Sequence, residues 1–366
     1  MNAQRPRRHH PIRQVVFGVV ALLALTSCDA GWVNPFVGSG TNGTTNATVP
    51  DSQAELTTPT GVVAAPGGGF YEYDSTACAI YRESGGETSV FAGTPGTCGN
   101  TGDGGPANAA TLDNSPSTDP ATRTILRGPG SDAPTPMTVG PDGSVYFVQI
   151  SVVGWVDTPG IGSTPEFTSQ VRRITPDGTI DTLGTPITDS AIECIAAITT
   201  TPSGEVLVAT FDASGTSRIE WVQPDGTRTP LATTDTYVYT IAAISDTELA
   251  AASFDQVLRI DLATGASTPV GVSTTGLDAS VAAAPDGTIY VGSSDSDVVE
   301  RVTADGVVTI AGDGTPDPAN SRQYGQGTDL HLTPTGLALT PGNGLLICSG
   351  HVVYRLENPA AAGPGH

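Results

Sequence analysis

Lysine is absent from the 366 residues, so all 15 basic side chains are arginine, against 37 acids. A net charge of −22 excludes an electrostatic partnership with nucleic acid or with anionic head groups. Histidine is scarce: beyond residue 27 only His331, His351 and His366 remain, with no i, i+4 pair, and no two cysteines have zinc-ligand spacing. There is no Gly-x-Ser-x-Gly nucleophile elbow. Long amphipathic helical runs are missing as well. Short Val/Ile/Thr/Tyr segments alternate with Gly, Pro and Asp turns instead, which is the pattern of an all-β chain.

The first residues have their own character. Arg5, Arg7, Arg8 and Arg13 precede an apolar run from Val15 to Leu25, interrupted by Gly18. A basic stretch followed by a short apolar one has the layout of an export signal, and the run is short of the ~20 residues a spanning helix needs. Its ending, Leu25-Thr26-Ser27-Cys28, resembles the lipobox of bacterial lipoproteins. The resemblance implies cleavage before Cys28, acylation of its thiol and a lipid-anchored protein outside the cytoplasmic membrane. Residues 1–27 are then signal, 28–31 a tether, 32–358 the folded domain and 359–366 a flexible tail. Removing four arginines and no acid leaves 11 − 37 = −26.

The folded domain is periodic. Thr58-Pro59-Thr60-Gly61-Val62 is matched by Thr333-Pro334-Thr335-Gly336-Leu337. Turns recur at Pro66-Gly67, Pro141-Asp142-Gly143, Pro202-Ser203-Gly204, Ser245-Asp246-Thr247, Pro285-Asp286-Gly287 and Pro341-Gly342. A second series lies at Ser84-Gly85-Gly86, Pro176-Asp177-Gly178, Pro224-Asp225-Gly226, Ala263-Thr264-Gly265 and Ala304-Asp305-Gly306. Proline presets φ in such turns and glycine supplies the positive φ. Two hairpins per unit make four antiparallel strands, A to D.

The sixth unit lacks its fourth strand. Phe36-Val37-Gly38 near the start parallels Phe91-Ala92-Gly93 and Ile310-Ala311-Gly312, each at the end of a unit. Trp32 to Val37 is therefore expected to be the missing strand. The expected fold is a six-bladed β-propeller whose last blade is closed by the N-terminal strand, which removes the free edges of a linear array.

Phe91-Ala92-Gly93, Gly102-Asp103-Gly104-Gly105-Pro106-Ala107 and Ala110-Thr111-Leu112 together resemble the link between NHL repeats. Pro334-Thr335-Gly336-Leu337-Ala338 resembles the opening of an NHL blade, and Gly325 to Leu332 is a degenerate link. The likeness is strong in blades one, five and six. The central blades are equally similar to six-bladed lactonase and lyase propellers. Peptide-amidating lyases of this kind use several histidines at the channel, which this chain does not supply.

Strand parity places A–B and C–D turns on one face and B–C loops and D–A links on the other. The three long insertions, Thr94 to Pro134, Ser151 to Ser169 and Asp313 to Leu332, all fall on the second face. Long loops on a rigid scaffold are where binding residues concentrate. Trp155, Phe167, Tyr324, His331 and Asp103 are the candidate binding residues there. With about 14 Å of tether between Cys28 and Trp32, the tight-turn face is expected to look toward the membrane.

The sequence thus points to a monomeric, membrane-anchored binding scaffold for a protein, peptide or glycan, without catalytic residues, metal or cofactor. The alternative is a lactonase- or lyase-like enzyme with scattered carboxylates, such as Glu193, Asp246 and Asp278, and a divalent cation at the channel. Gly38 to Gly43 fits a dinucleotide fingerprint by letter but opens no helix. Asp295-Ser296-Asp297 lacks the glycine and distal glutamate of a calcium loop and is expected to be a solvated loop. Among the remaining cysteines, Cys78 and Cys98, 20 apart in one repeat, are expected to pair, and Cys194 and Cys348 to be buried thiols.

Overall fold

The computed structural model describes residues 31–113, 134–158, 162–189, 194–211, 216–253, 256–270, 279–304, 306–316, 322–342 and 344–363. These build six antiparallel sheets of four or five strands and almost no helix. The sheets are the blades of a propeller. Strands A are Pro59–Ala64, Met137–Val139, Cys194–Thr200, Val238–Ala243, Ala279–Ala283 and Pro334–Leu339. Each packs against the strands A of the blades before and after it, so the six close a ring around a central axis. Each A–B turn is tight because its residues demand it: Gly143, Gly204 and Gly287 take positive φ, and Asp142 and Asp286 cap backbone N–H groups two residues on.

The ring closes as the sequence indicates. Trp32–Val37 pairs antiparallel with Val352–Glu357, matching Val33 to Leu356 and Asn34 to Arg355. It is the fourth strand of blade six. The hydrophobic core is not one mass but six clusters, each lying between two neighbouring blades. The seam between blades six and one holds Val37, Leu56, Phe70, Tyr81, Cys348 and Val353. That seam joins the two ends of the domain, so its apolar contacts stabilise the closed ring.

Three blades carry more than the expected four strands. Val49–Pro50, Gly105–Pro106 and Gly325–Gln326 each add a two-residue fifth strand to the outer edge of blades one, two and six. Each is followed by a single 3-10 turn: Asp51–Gln53, Ala107–Ala109 and Gly327–Asp329. The link before each blade thus wraps its outermost strand and covers the edge. The repeated glycine after strand D makes this possible. Gly38, Gly93 and Gly312 have φ of +112°, +83° and +84° and donate to Asp51 O, Ala107 O and Gly327 O. A Cβ at these positions would collide with the carbonyls of His351, Cys78 and Asp297.

Blade two departs most from the sequence expectation. Ser151 to Ser169 is not a loop. Strands B and C continue through it as Val145–Thr158 and Gly162–Ile174, paired from Ile174↔Val145 to Gly162↔Thr158. Strand D lengthens with them, as Thr179–Asp189. These strands have 14, 13 and 11 residues, against three to seven in strands B, C and D of other blades. β-Formers such as Val148, Ile150, Val152 and Val156 sustain the pairing despite Gly154 and Pro165. At about 3.3 Å per residue, the hairpin stands well above its own face of the ring.

Candidate functional site

The elongated hairpin rises from the face that carries the B–C connections and the D–A links. Strand A starts there and strand B ends there. Trp155 and Phe167 take part in the hairpin, with Trp155 opposite Pro165 and Phe167 opposite both Val152 and Asp189. On the far side of the same face, the link between blades five and six holds Tyr324 and His331. Tyr324 is 73% exposed, the most open large hydrophobic side chain among the described residues. His331 Nδ1 lies 3.0 Å from Asp313 Oδ2 and 3.1 Å from Thr315 Oγ1. The backbone of His331 exchanges two hydrogen bonds with the Gln323 side chain, at 3.1 and 2.9 Å. Hydrogen bonding from the Thr315 hydroxyl, then His331, holds the Asp313 carboxylate below the usual range. The candidates therefore fall into two groups, one over blade two and one between blades five and six.

Asp103 belongs to the first group but is engaged within the protein. Its Oδ1 accepts from Arg172 Nη2 at 2.7 Å. Arg172, on strand C of blade two, is fully buried, and it also donates to Asn100 Oδ1, Gln149 Oε1 and Thr101 O. Gln149 and Gln170 add bonds to Gly99 O and Asn100 Oδ1. The link from blade one is thus clamped onto blade two. Cys78 and Cys98 are bonded, with Cα atoms 5.3 Å apart, and fasten the same link at its other end.

Two other expectations change. Cys194 is half-buried rather than buried, because it opens strand A of blade three at the rim. Asp297 is not in a solvated loop: it is buried, has φ +56°, and accepts from Thr333 Oγ1 at 2.9 Å. Burial first raises the pKa of Asp297, the Thr333 bond opposes this, and Asp313 and Asp295 add to the rise. Cys28, Glu193 and Asp278 lie outside the described residues.

The channel is narrow. Residues of all six strands A enclose a cavity of about 50 Å³, lined by Thr60, Thr135, Thr240 and Ser280 among aliphatic neighbours such as Val62, Ile198, Val281 and Leu337. Hydroxyls close it by bonding across blades: Thr60 Oγ1 to Thr135 Oγ1 at 2.7 Å, Thr240 Oγ1 to Ala279 O at 3.1 Å and Thr335 Oγ1 to Pro59 O at 2.7 Å. The lining contains no carboxylate or imidazole. Among the described residues no group of three His, Cys, Asp or Glu side chains is arranged to hold a metal ion.

The tight-turn face is different again. A shallow depression of about 280 Å³ lies over the axis, lined by Pro66, Pro141, Pro202, Pro341 and small apolar residues. Around it the turn carboxylates stay ionised. Hydrogen bonds from Thr175 to Asp177, from the Thr227 N–H to Asp225, from the Ser203 N–H to Asp246 and from the Thr288 N–H to Asp286 all lower their pKa.

Sequence reasoning missed a third group on the loop-rich face. Phe211 ends strand B of blade three, and Tyr237 and Tyr239 flank the start of strand A of blade four. The Phe211 ring lies 5.2 Å from Tyr237 and 6.5 Å from Tyr239, and the two tyrosine rings are 6.3 Å apart. Burial raises the Tyr239 pKa, with Tyr237 adding to it.

Several solved structures share this fold. A protein of unknown function from Bacteroides thetaiotaomicron aligns over 88% of this chain and 75% of its own, with 13% identity and a TM-score of 0.54. A virginiamycin B lyase from Staphylococcus aureus aligns over 84% of this chain and 97% of its own, with 14% identity and a TM-score of 0.47. A gluconolactonase from Xanthomonas campestris aligns over 82% and 86%, with 11% identity and a TM-score of 0.48. No family model matches the chain, and no curated protein matches it in sequence. The likeness to the Bacteroides protein shows a shared fold alone, whose six blades are those of the sheets described above.

Proposed function

We propose that the chain is a lipoprotein of the bacterial cell envelope, an NHL-like propeller held by acylated Cys28, that captures a protein, peptide or glycan on its loop-rich face. The observation that supports this best is the blade-two hairpin. A chain that elsewhere uses three to seven residues for strands B to D spends 14, 13 and 11 on one side of one blade. Ordered structure raised above a rigid ring is suited to contact with a ligand. A carboxylate-based enzyme is the weaker reading, because the channel is lined by hydroxyl and apolar side chains.

No helix among the described residues is long and apolar enough to cross a membrane. The proposed anchor is instead the lipid, and the turn face looks toward the bilayer. Its ionised turn aspartates repel anionic head groups. Attachment then depends on acyl chains and not on adsorption. Replacing Val153 to Glu166 by an Asn-Gly turn removes the raised part of the hairpin and keeps the pairing below it, from Phe167↔Val152 to Ile174↔Val145. In the Cys28→Ala protein, which carries no lipid, co-sedimentation with detergent-washed cell-wall material is expected to disappear while the melting temperature stays the same. Undiminished co-sedimentation of the folded variant would remove the hairpin from the proposal. Cys28→Ala is expected to move the protein from the membrane to the soluble fraction; a variant that stays membrane-bound would remove the anchor.

A further inference from the structure

The pairing of strands A and B in blade four shifts register between Val238 and Thr240, leaving Tyr239 as the extra residue of a β-bulge. Blades one, three and six have the same shift, at Thr60, Ala196 and Thr335. A bulge re-aims the side chain it carries. Only blade four, among these, uses it to place a large ring. Tyr237 and Tyr239 lie at a shallow 36° to each other, and Phe211 stands nearly edge-on to Tyr237, at 80°.

All three rings are half-buried, at the end of one blade's strand B and the start of the next blade's strand A. None belongs to the core cluster between blades three and four. They keep aromatic surface in water beside the channel mouth, on the face that also carries the raised hairpin.

The shape of this surface selects its ligand. Centroid separations of 5.2 to 6.5 Å mean that the rings touch one another, so nothing fits between them. That excludes an aromatic cage around a quaternary ammonium group, which needs open walls. What remains is a shallow apolar floor with phenol hydroxyls at its edge. A pyranose ring has the complementary form, with an apolar face of C–H groups and a rim of hydroxyls. The chain's charge of −22 disfavours sulfated, phosphorylated or uronic saccharides.

We propose that Phe211, Tyr237 and Tyr239 form a stacking platform for an uncharged saccharide. This rests on the loop-rich face being the binding face, and names the ligand class it takes. The test is affinity electrophoresis of the full chain in gels containing neutral polysaccharides (laminarin, xylan, dextran, hydroxyethylcellulose) or anionic alginate. Retardation is expected in at least one neutral gel and not in alginate. Tyr237→Ala and Tyr239→Ala should each weaken it by about tenfold or more, as for aromatic anchors elsewhere, while Tyr239→Phe retains most of it. Melting curves establish that each variant is folded.

Migration unaffected by every neutral polysaccharide overturns the platform, as does retardation that survives the double Tyr→Ala change. Envelope capture sensitive to the hairpin, with no response to neutral saccharide, overturns the platform and leaves the proposed function standing. Saccharide binding with envelope capture indifferent to the hairpin does the reverse. Binding of a protein fraction that Tyr239→Ala abolishes, without saccharide binding, assigns the rings to a protein partner and overturns the saccharide.

Discussion

Arg172 Nη2 and Asp103 Oδ1 meet at 2.7 Å across the boundary between the first two blades. The guanidinium is fully buried while the Asp103 side chain is half exposed. Loss of solvation lowers the Arg172 pKa, and Asp103 is the largest influence opposing that. Asp103 therefore acts as a clamp on the link. Asp103→Ala is expected to cost about 1.5–3 kcal/mol by urea unfolding, the range for a hydrogen bond to a charged group, and to leave polysaccharide retardation unchanged. An unaltered urea midpoint would show that Asn100 and Gln149 suffice to hold Arg172.

Glu72 in strand B of blade one is 1% exposed, and neither carboxylate oxygen has a hydrogen-bond partner. Burial, and then Asp74, push its pKa well above 4.5. The folded state therefore holds a proton that the unfolded state releases. This contribution to stability is complete below the unfolded pKa and is lost as pH rises toward the folded one, at a slope of at most about 1.4 kcal/mol per pH unit. Relative to Glu72→Gln, the wild-type protein should lose stability over the window that opens as pH rises above about 4.5. Parallel stability curves for the two proteins would show that Glu72 does not titrate in that window.

Reducing the Cys78–Cys98 bond opens a loop with a sequence separation of 20. The expected loss is about 3 kcal/mol from the restored freedom of the unfolded chain. Unfolding with and without reductant measures it, with the Cys78→Ser, Cys98→Ser variant as the reference. Equal midpoints for all three would show that the link is held by its hydrogen bonds alone.

Gly93 and Gly104 are both left-handed, with φ of +83° and +76°. Gly104 has open space where a Cβ would stand, whereas Gly93 faces the carbonyl of Cys78. Gly104→Ala should cost about 1 kcal/mol from backbone conformation alone. Gly93→Ala should cost about 2 kcal/mol more, because a main-chain atom must move. Equal losses in the two variants would mean that the carbonyl yields freely.

The fold was legible because its signals are local. A Pro-Asp-Gly turn announces itself wherever it occurs, and the triplets ending in Gly38, Gly93 and Gly312 mark the ends of blades, including the one completed from the N-terminal side. Ser151 to Ser169 read as a loop because Gly154 and Pro165 are turn-formers, yet cross-strand pairing prevailed over both. The acids at 72 and 297 and the arginine at 172 look like surface charges in sequence; their burial follows from how neighbouring blades pack. Phe211 and Tyr239 lie on different blades, and only the ring brings them together. A Tyr-x-Tyr step opening a strand A was the one local clue.

Val33 finds its partner in Leu356. A chain made from its N-terminus emerges at about 5–20 residues per second. The strand that closes the last blade is therefore made before the five blades that separate it from its partner and must wait, on the order of tens of seconds, for the strand it will join. During that interval five blades can assemble in succession while the ring stays open at one place. Closing the ring is a docking of two distant stretches of chain, and Trp32–Val37 has no inner neighbour in its own blade until Val352–Glu357 has been made.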